Sequence, residues 1–265
     1  MTVWLLGYVV LGAVAGFFAG LLGVGGGAIM VPVLALMFAA QGFPETHLMH
    51  LALGTSMAAI VFTSISSLRA HHSHGAVRWP IVKIITPGIL VGTFLGAQLA
   101  SLIPTRPLAI FFTVFMSYVA FQMLANIKPK PSRQLPGSFG MFAVGSGIGA
   151  ISALVAIGGG SLSVPFMTWC NVKMHDAIGT SAAIGFPIAM AGTVGYLVGG
   201  WGAGELPAWS FGYVYLPALA ACVVASMLTA PLGAKAAHSL PVATLKKIFA
   251  GVILLLLAKM VHGLF

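Results

Sequence analysis

The chain has 265 residues, 59% of them apolar and only 6% charged, with a formal net charge of +9 and a mean hydropathy of +1.06. A soluble domain carries about 25% charged residues, so this composition excludes a water-soluble globular protein and makes the lipid bilayer the chain's surroundings. The basic excess does not signal nucleic acid, because Lys and Arg lie singly or in twos and threes between apolar stretches rather than on one face.

In chain order, residues 1–44 contain no Lys, Arg, Asp or Glu. The stretch lacks the positive n-region of a cleaved signal, so it is expected to remain as a membrane segment. A long apolar helix over 3–22 runs into Gly25-Gly26-Gly27, and a short helix over 28–40 follows. Three full spans come next, at 48–69, 80–101 and 106–126. Lys128-Pro129-Lys130-Pro131-Ser132-Arg133 then forms a Pro-rich polar linker. The same succession repeats: a helix over 139–156, Gly158-Gly159-Gly160, a short helix over 161–171, and spans at 176–199, 208–234 and 243–263. A dozen residues at 1.5 Å each reach only about 18–20 Å, against a hydrocarbon core of about 30 Å. Each short helix is therefore expected to pair with the helix before it as a broken, re-entrant hairpin.

Three echoes mark an internal repeat. Gly25-Gly26-Gly27-Ala28-Ile29-Met30-Val31-Pro32 returns as Gly158-Gly159-Gly160-Ser161-Leu162-Ser163-Val164-Pro165. His50-Leu51-Ala52-Leu53-Gly54-Thr55-Ser56 returns as His175-Asp176-Ala177-Ile178-Gly179-Thr180-Ser181. The segment from Gly96 to Pro104 returns as Gly233 to Pro241. The expected organisation is a first transmembrane repeat at 1–127, a cytoplasmic linker at 128–137 and a second repeat at 138–265. A hairpin plus three spans crosses an odd number of times, so the second repeat should be inverted. With the linker in the cytoplasm, inversion places ten Lys and Arg residues at the cytoplasmic face and only Arg106 and Lys259 at the other, as the positive-inside rule prefers. The fold class is thus all-α integral membrane: two inverted repeats, each a broken-helix hairpin plus three transmembrane helices, with roughly eight to ten membrane segments.

Inverted repeats with broken helices are a recurring transporter plan, with substrate held near mid-membrane. Glycine runs let a helix unwind at that depth, and the next helix then presents free N–H groups and the positive end of its dipole. Such an end suits an anion. The candidate binding residues are Gly25, Gly26, Gly27, Gly158, Gly159, Gly160 and Ser161, joined by Gly54, Thr55, Ser56, Gly179, Thr180 and Ser181, whose hydroxyls can donate to substrate oxygens. The same glycines also fit tight helix packing, and the hydroxyls also fit bonds to their own helix carbonyls. His50 and His175 suit proton coupling or an interfacial bond to a loop. His71-His72-Ser73-His74 reads as a solvated loop, Gln98 and Lys235 as residues that snorkel, and Trp4, Trp79, Trp201 and Trp209 as interfacial anchors.

The three acidic residues, Glu45, Asp176 and Glu205, sit at segment edges, which argues against a carboxylate-based cation transporter. Cys170 and Cys222 lie in separate segments and read as small buried residues. No metal site and no cofactor is expected. A Walker A run is absent, as are Gly-x-Ser-Gly and any cluster of His with carboxylates inside a span, so the sequence reads as a non-enzyme that does not itself use ATP.

The run from Gly12 to Leu34, G-x-x-A-G-x-x-x-G-L-L-G-V-G-G-G-x-x-x-V-P-x-L, resembles the sulfite exporter TauE/SafE family of membrane permeases. Gly158–Pro165, both Gly-Thr-Ser segments and the stretch Arg69–Trp79 fit the same family, so the likeness covers essentially the whole chain. The resemblance implies a multi-pass protein of the bacterial cytoplasmic membrane that moves sulfite, sulfonates such as sulfoacetate, or other small organic anions. The expected partners are a small anionic substrate and the lipid bilayer, with no nucleic acid; homo-oligomerisation is left open. A non-transporting scaffold for another membrane complex is the alternative.

Overall fold

A computed structural model describes residues 2–22, 25–125, 132–239 and 242–264. The all-α expectation holds. The described residues form α1 (Thr2–Leu22), α2 (Gly27–Ala40), α3 (Leu48–Ser73), α4 (Trp79–Leu102), α5 (Thr105–Leu124), α6 (Ser138–Val155), α7 (Gly160–Trp169), α8 (Met174–Gly199), α9 (Leu216–Ser239) and α10 (Val242–Leu264). A 3-10 turn, Glu45–His47, precedes α3. Among the described residues seven helices are long and apolar enough to cross a membrane: α1, α3, α4, α5, α6, α8 and α9. Helix α2 has 14 residues and α7 has 10, roughly 21 and 15 Å, too short to cross alone. The core of the linker, with Lys128 and Lys130, lies outside the described residues.

The interior is built by close approach of backbones. Helix α1 sets Gly12, Gly16 and Gly20 against Cys222, Ser226 and Ala230 of α9, and α4 sets Gly88, Gly92 and Gly96 against Phe142, Ser146 and Ala150 of α6. In both pairs the numbers rise together, so the helices run parallel. Lipid tails are as apolar as Leu, so helix association in a bilayer rests on such small-xxx-small packing rather than on the hydrophobic effect. Helices α3 and α8 cross at the centre. Of the span windows, α3's is 83% buried and α8's 56%, whereas the other five lie between 33% and 44%, so the outer helices spend their remaining faces on lipid. Exposed Leu6, Leu95, Val114, Phe121 and Leu228 lie on those faces.

The main pairings of the long helices map onto themselves when each is exchanged for its counterpart five places on: α1 on α9 becomes α6 on α4, α3 on α9 becomes α8 on α4, and α3 on α8 is unchanged, whereas the packing of α2 on α10 has no comparable counterpart between α7 and α5. Direction can be read as well. The start of α3 lies beside the start of α9, since Thr55 Oγ1 accepts from the Tyr215 N–H at 2.9 Å. The start of α8 lies beside the start of α4, since Thr180 Oγ1 accepts from the Arg78 N–H at 2.9 Å.

Three local expectations are corrected. Helix α9 begins at Leu216, not 208, because residues 210–215 form a two-residue antiparallel ribbon, β1 (Ser210–Phe211) with β2 (Val214–Tyr215), turning through Gly212 at φ 53. Phe211, Val214 and Tyr215 favour strand, and Pro217 belongs in the first turn of the helix that follows. Helix α3 runs on to Ser73, so His71 and His72 are helical, and His71 is buried rather than solvated. Gln98 does not snorkel; its Nε2 donates to the Gly195 carbonyl of α8 at 2.9 Å.

Candidate functional site

Both glycine triplets interrupt the chain in the same way. Helix α1 ends at Leu22 and α2 starts at Gly27 after Gly26, which takes the left-handed φ 80, ψ −11. Helix α6 ends at Val155 and α7 starts at Gly160 after Gly159, at φ 83, ψ −17. A side chain is disfavoured in this region by roughly 1–2 kcal/mol, which explains glycine at both points. The Gly26 carbonyl accepts from the Ile29 and Met30 N–H groups, and the Gly159 carbonyl from those of Leu162 and Ser163. The N–H groups of Gly160 and Ser161 find no partner among the described residues, as expected for the first turn of a helix.

The two breaks meet each other. A Cβ placed on Gly25, itself at φ 82, would stand 2.9 Å from both the N and the Cα of Gly158, and one on Gly27 would collide with the Ala156 carbonyl oxygen. Ile60, roughly 18 Å down α3 from Leu48, also abuts Gly25, and Gly185 at the middle of α8 faces the Gly158 carbonyl. The meeting point is therefore at mid-depth of the central pair. A cavity of about 10 Å³ lies there, lined by Ala19, Gly25, Thr63, Ser64, Ser67, Gly158, Ala182 and Gly185. That is space for about one water.

Its polar walls come from backbone and from α3. Ser67 is 4% exposed and its Oγ has no hydrogen-bond partner. Ser64 Oγ donates to the Val61 carbonyl at 2.9 Å. Thr63 Oγ1 lies 3.1 Å from the Ala59 carbonyl and 2.9 Å from Ser226 Oγ on α9. Buried Ser161 and Ser163, at the start of α7, also have unpartnered hydroxyls. A buried donor without a partner costs about 1–3 kcal/mol, so Ser67, set in the cavity wall, marks a place for a guest.

Of the residues singled out from sequence, the structure brings Gly25 and Gly158 together at this cavity, with the rest of each triplet beside them. The Gly-Thr-Ser segments do something else. Gly54 makes room for the Tyr213 carbonyl and Gly179 for that of Ala76, while Thr55 and Thr180 receive the N–H two residues further on. Each segment docks the loop ahead of α9 or α4. Ser56 is buried with an unpartnered Oγ. The docked loops are themselves an echo that the sequence reading missed: Gly75-Ala76-Val77-Arg78-Trp79-Pro80 and Gly212-Tyr213-Val214-Tyr215-Leu216-Pro217, with Gly75 and Gly212 both at positive φ. Arg78 also pairs with Asp176, Nη2 to Oδ2 at 2.6 Å.

His50 is remote from the cavity, ten residues or roughly 15 Å along α3 from Ile60. Its Nε2 lies 3.0 Å from the Ile103 carbonyl and 3.2 Å from that of Ala100. Both partners are acceptors, so Nε2 carries the proton and caps the end of α4. The ring stacks on Tyr213 at 4.9 Å. Burial pushes the Tyr213 and Tyr215 phenols up from their ordinary value, so both rings stay neutral. His175 is exposed at the start of α8.

Comparison with known proteins finds membrane transporters over nearly the whole chain. The family described as Sulfite exporter TauE/SafE matches residues 8–260. A probable membrane transporter protein of Haemophilus influenzae is 38% identical over 94% of this chain and 95% of its own. The probable membrane transporter protein YdhB of Bacillus subtilis is 27% identical over 87% and 89%, and one from Methanocaldococcus jannaschii is 24% identical over 86% and 84%. No solved structure gives a significant match. With seven apolar helices and a match over nearly its whole length, the chain is a multi-pass membrane transporter rather than an enzyme, and it belongs to the sulfite exporter TauE/SafE family.

Proposed function

We propose that the protein is a secondary transporter of small anions, such as sulfite, sulfonates or related organosulfur and organic acids, acting as an exporter in the bacterial cytoplasmic membrane. The observation that carries this reading is the contact between Gly25 and Gly158, where two helix breaks meet beside the unpartnered Ser67 hydroxyl. Backbone N–H groups and hydroxyls held at mid-depth offer an anion the donors it loses on leaving water.

The reading further takes residues 1–127 and 138–265 as inverted repeats that rock about this site. Supporting the inversion, Thr55 ties the start of α3 to the start of α9, while Thr180 ties the start of α8 to that of α4. The loop 74–78 joins the end of α3 to the start of α4, so α3 and α8 run oppositely. The two ties then stand at opposite membrane faces. Releasing one while the other holds would open the cavity to one side only, which is the requirement for alternating access.

The test is uptake of labelled sulfite and methanesulfonate into proteoliposomes preloaded with the same anion. Accumulation well above protein-free vesicles is expected, together with a marked loss in Ser67→Ala. Folded protein that moves none of a panel of small anions would refute the reading.

A further inference from the structure

The two joints between helices are built alike and differ in one pair of side chains. Tyr215 of the ribbon stands where Arg78 stands in the loop ahead of α4, and Leu51 of α3 stands where Asp176 stands on α8. Tyr215 packs on Phe38 and Phe43 at ring separations of 5.6 and 5.0 Å, and Leu51 is fully buried. Arg78 instead sends both Nε, at 2.9 Å, and Nη2, at 2.6 Å, to the single oxygen Oδ2 of Asp176. The backbone tie is the same at both joints, from the N–H of residue 215 or 78 to a threonine. A joint therefore holds without charge, and the ion pair is not needed for assembly.

What distinguishes the Arg78 joint is its place. Gly179 and Ala182 are neighbours on one face of α8; Ala182 lines the cavity, and Gly179 receives the Ala76 backbone. Ala76 and Val77 are buried, so the loop ahead of α4 covers the cavity from this end, one helical turn away. The other loop is remote, since Gly54, which receives Tyr213, lies roughly 13 Å along α3 from Thr63. The near end is also the basic one. Arg69 in α3, Lys83 in α4 and Lys173 before α8 are all exposed there, and Asp176 is the one acidic residue between Glu45 and Glu205. By the positive-inside rule this end faces the cytoplasm, where an exporter takes up its cargo.

The ion pair at this end is open to exchange. The Arg78 side chain is 58% exposed and that of Asp176 15%, and a pair in contact with water contributes little to stability. A guanidinium presents parallel N–H groups that match two oxygens of an oxyanion. Here both bonds fall on one carboxylate oxygen, so a free oxyanion can use the fork more fully than Asp176 does.

We propose that Arg78 captures the anion at the cytoplasmic mouth and that Asp176 holds its place until then. An incoming oxyanion displaces the Asp176 carboxylate from the guanidinium, which loosens the loop 75–78 over the cavity. This role rests on the transport reading above and gives the substrate a contact ahead of the helix breaks. Asp176 acts as an internal competitor of the substrate.

The experiment measures initial uptake of labelled sulfite against concentration in inside-out membrane vesicles, whose cytoplasmic face meets the medium. The unmodified chain is compared with Arg78→Gln, Arg78→Lys and Asp176→Asn, and thermal unfolding of each purified protein is recorded. Loss of the cation in Arg78→Gln should raise KM roughly tenfold, with Arg78→Lys in between. Loss of the competitor in Asp176→Asn should lower KM about threefold. A pair that only ties helices together would shift KM the same way in Arg78→Gln and Asp176→Asn, or in neither. Opposite shifts support the capture role; any other pattern overturns it and leaves the transport reading standing. Should Arg78→Gln fail to fold, a KM for Asp176→Asn at or above that of the unmodified chain overturns the role by itself. Absence of uptake of any small anion by the folded, unmodified chain removes both readings.

Discussion

Gly27→Ala is expected to destabilise the protein by roughly 3 kcal/mol or more and to abolish anion uptake. The added methyl group would fall inside the van der Waals radius of the Ala156 carbonyl oxygen, a backbone atom of the other break. Backbone cannot swing aside as a side-chain end can, so α2 and the chain after α6 would have to part, and forced overpacking of this kind costs about 1–3 kcal/mol and at times more. Separation of the breaks also removes the contact that forms the cavity. Gly147→Ala and Gly251→Ala serve as controls, because a Cβ at either position meets nothing within 4 Å. In a helix those changes should be neutral or stabilising by roughly 0.5–1 kcal/mol. The check is reversible unfolding in mixed detergent alongside proteoliposome uptake. A Gly27→Ala protein as stable and active as the Gly147→Ala control contradicts the contact between the breaks.

Gly92→Leu is expected to have an effect of similar size by a different route. Gly92 lies at the centre of the α4 row and touches the backbone of Ser146 on α6. A leucine there forces the two helices apart along the row Gly88, Gly92 and Gly96. The bilayer supplies no hydrophobic compensation for the lost backbone packing. Leu95→Ala, on the same helix but 59% exposed, faces lipid and should change stability little. The measured difference between the two variants in unfolding free energy should be roughly 3 kcal/mol; equal stability would show that α4 and α6 do not depend on the glycine row.

Much of this architecture is legible in the sequence because the bilayer makes strong demands. Apolar runs of about 20 residues report spans directly, and nine of the ten helices start within two residues of where hydropathy places them. The exception is α9, where Trp209 to Tyr215 is apolar enough to join the following span. Hydropathy does not distinguish a ribbon from a helix; Gly212 and Pro217 do, through turn and first-turn geometry. The duplicated triplets also mark the breaks correctly, since a left-handed residue twice in the same context has a short list of candidates.

The wall of the cavity was not legible by the same logic. Searching for echoes finds what both halves share, whereas Thr63, Ser64 and Ser67 come from α3 alone. At the equivalent places on α8, counted from the Gly-Thr-Ser segments, stand Ile188, Ala189 and Gly192. The available signal was local: the hydroxyl run Thr63-Ser64-Ile65-Ser66-Ser67 inside an apolar span. Duplication likewise made the Gly-Thr-Ser segments look like ligand contacts. What is duplicated there is a joint between helices, Thr55 with Tyr215 and Thr180 with Arg78. A motif shared by both repeats can therefore report assembly as readily as chemistry, and only the partner of each hydroxyl separates the two.

Transport as proposed requires an anion to sit where the two helix breaks meet. Its most direct test is an anomalous difference map of the protein with selenite, which has the shape of sulfite and a strongly scattering centre. A selenium peak is expected between Gly25 and Gly158, with an oxygen within about 3 Å of Ser67 Oγ and the surrounding helices moved outward to admit it. A reproducible peak elsewhere, with Gly25 still packed on Gly158 and the cavity empty, contradicts it.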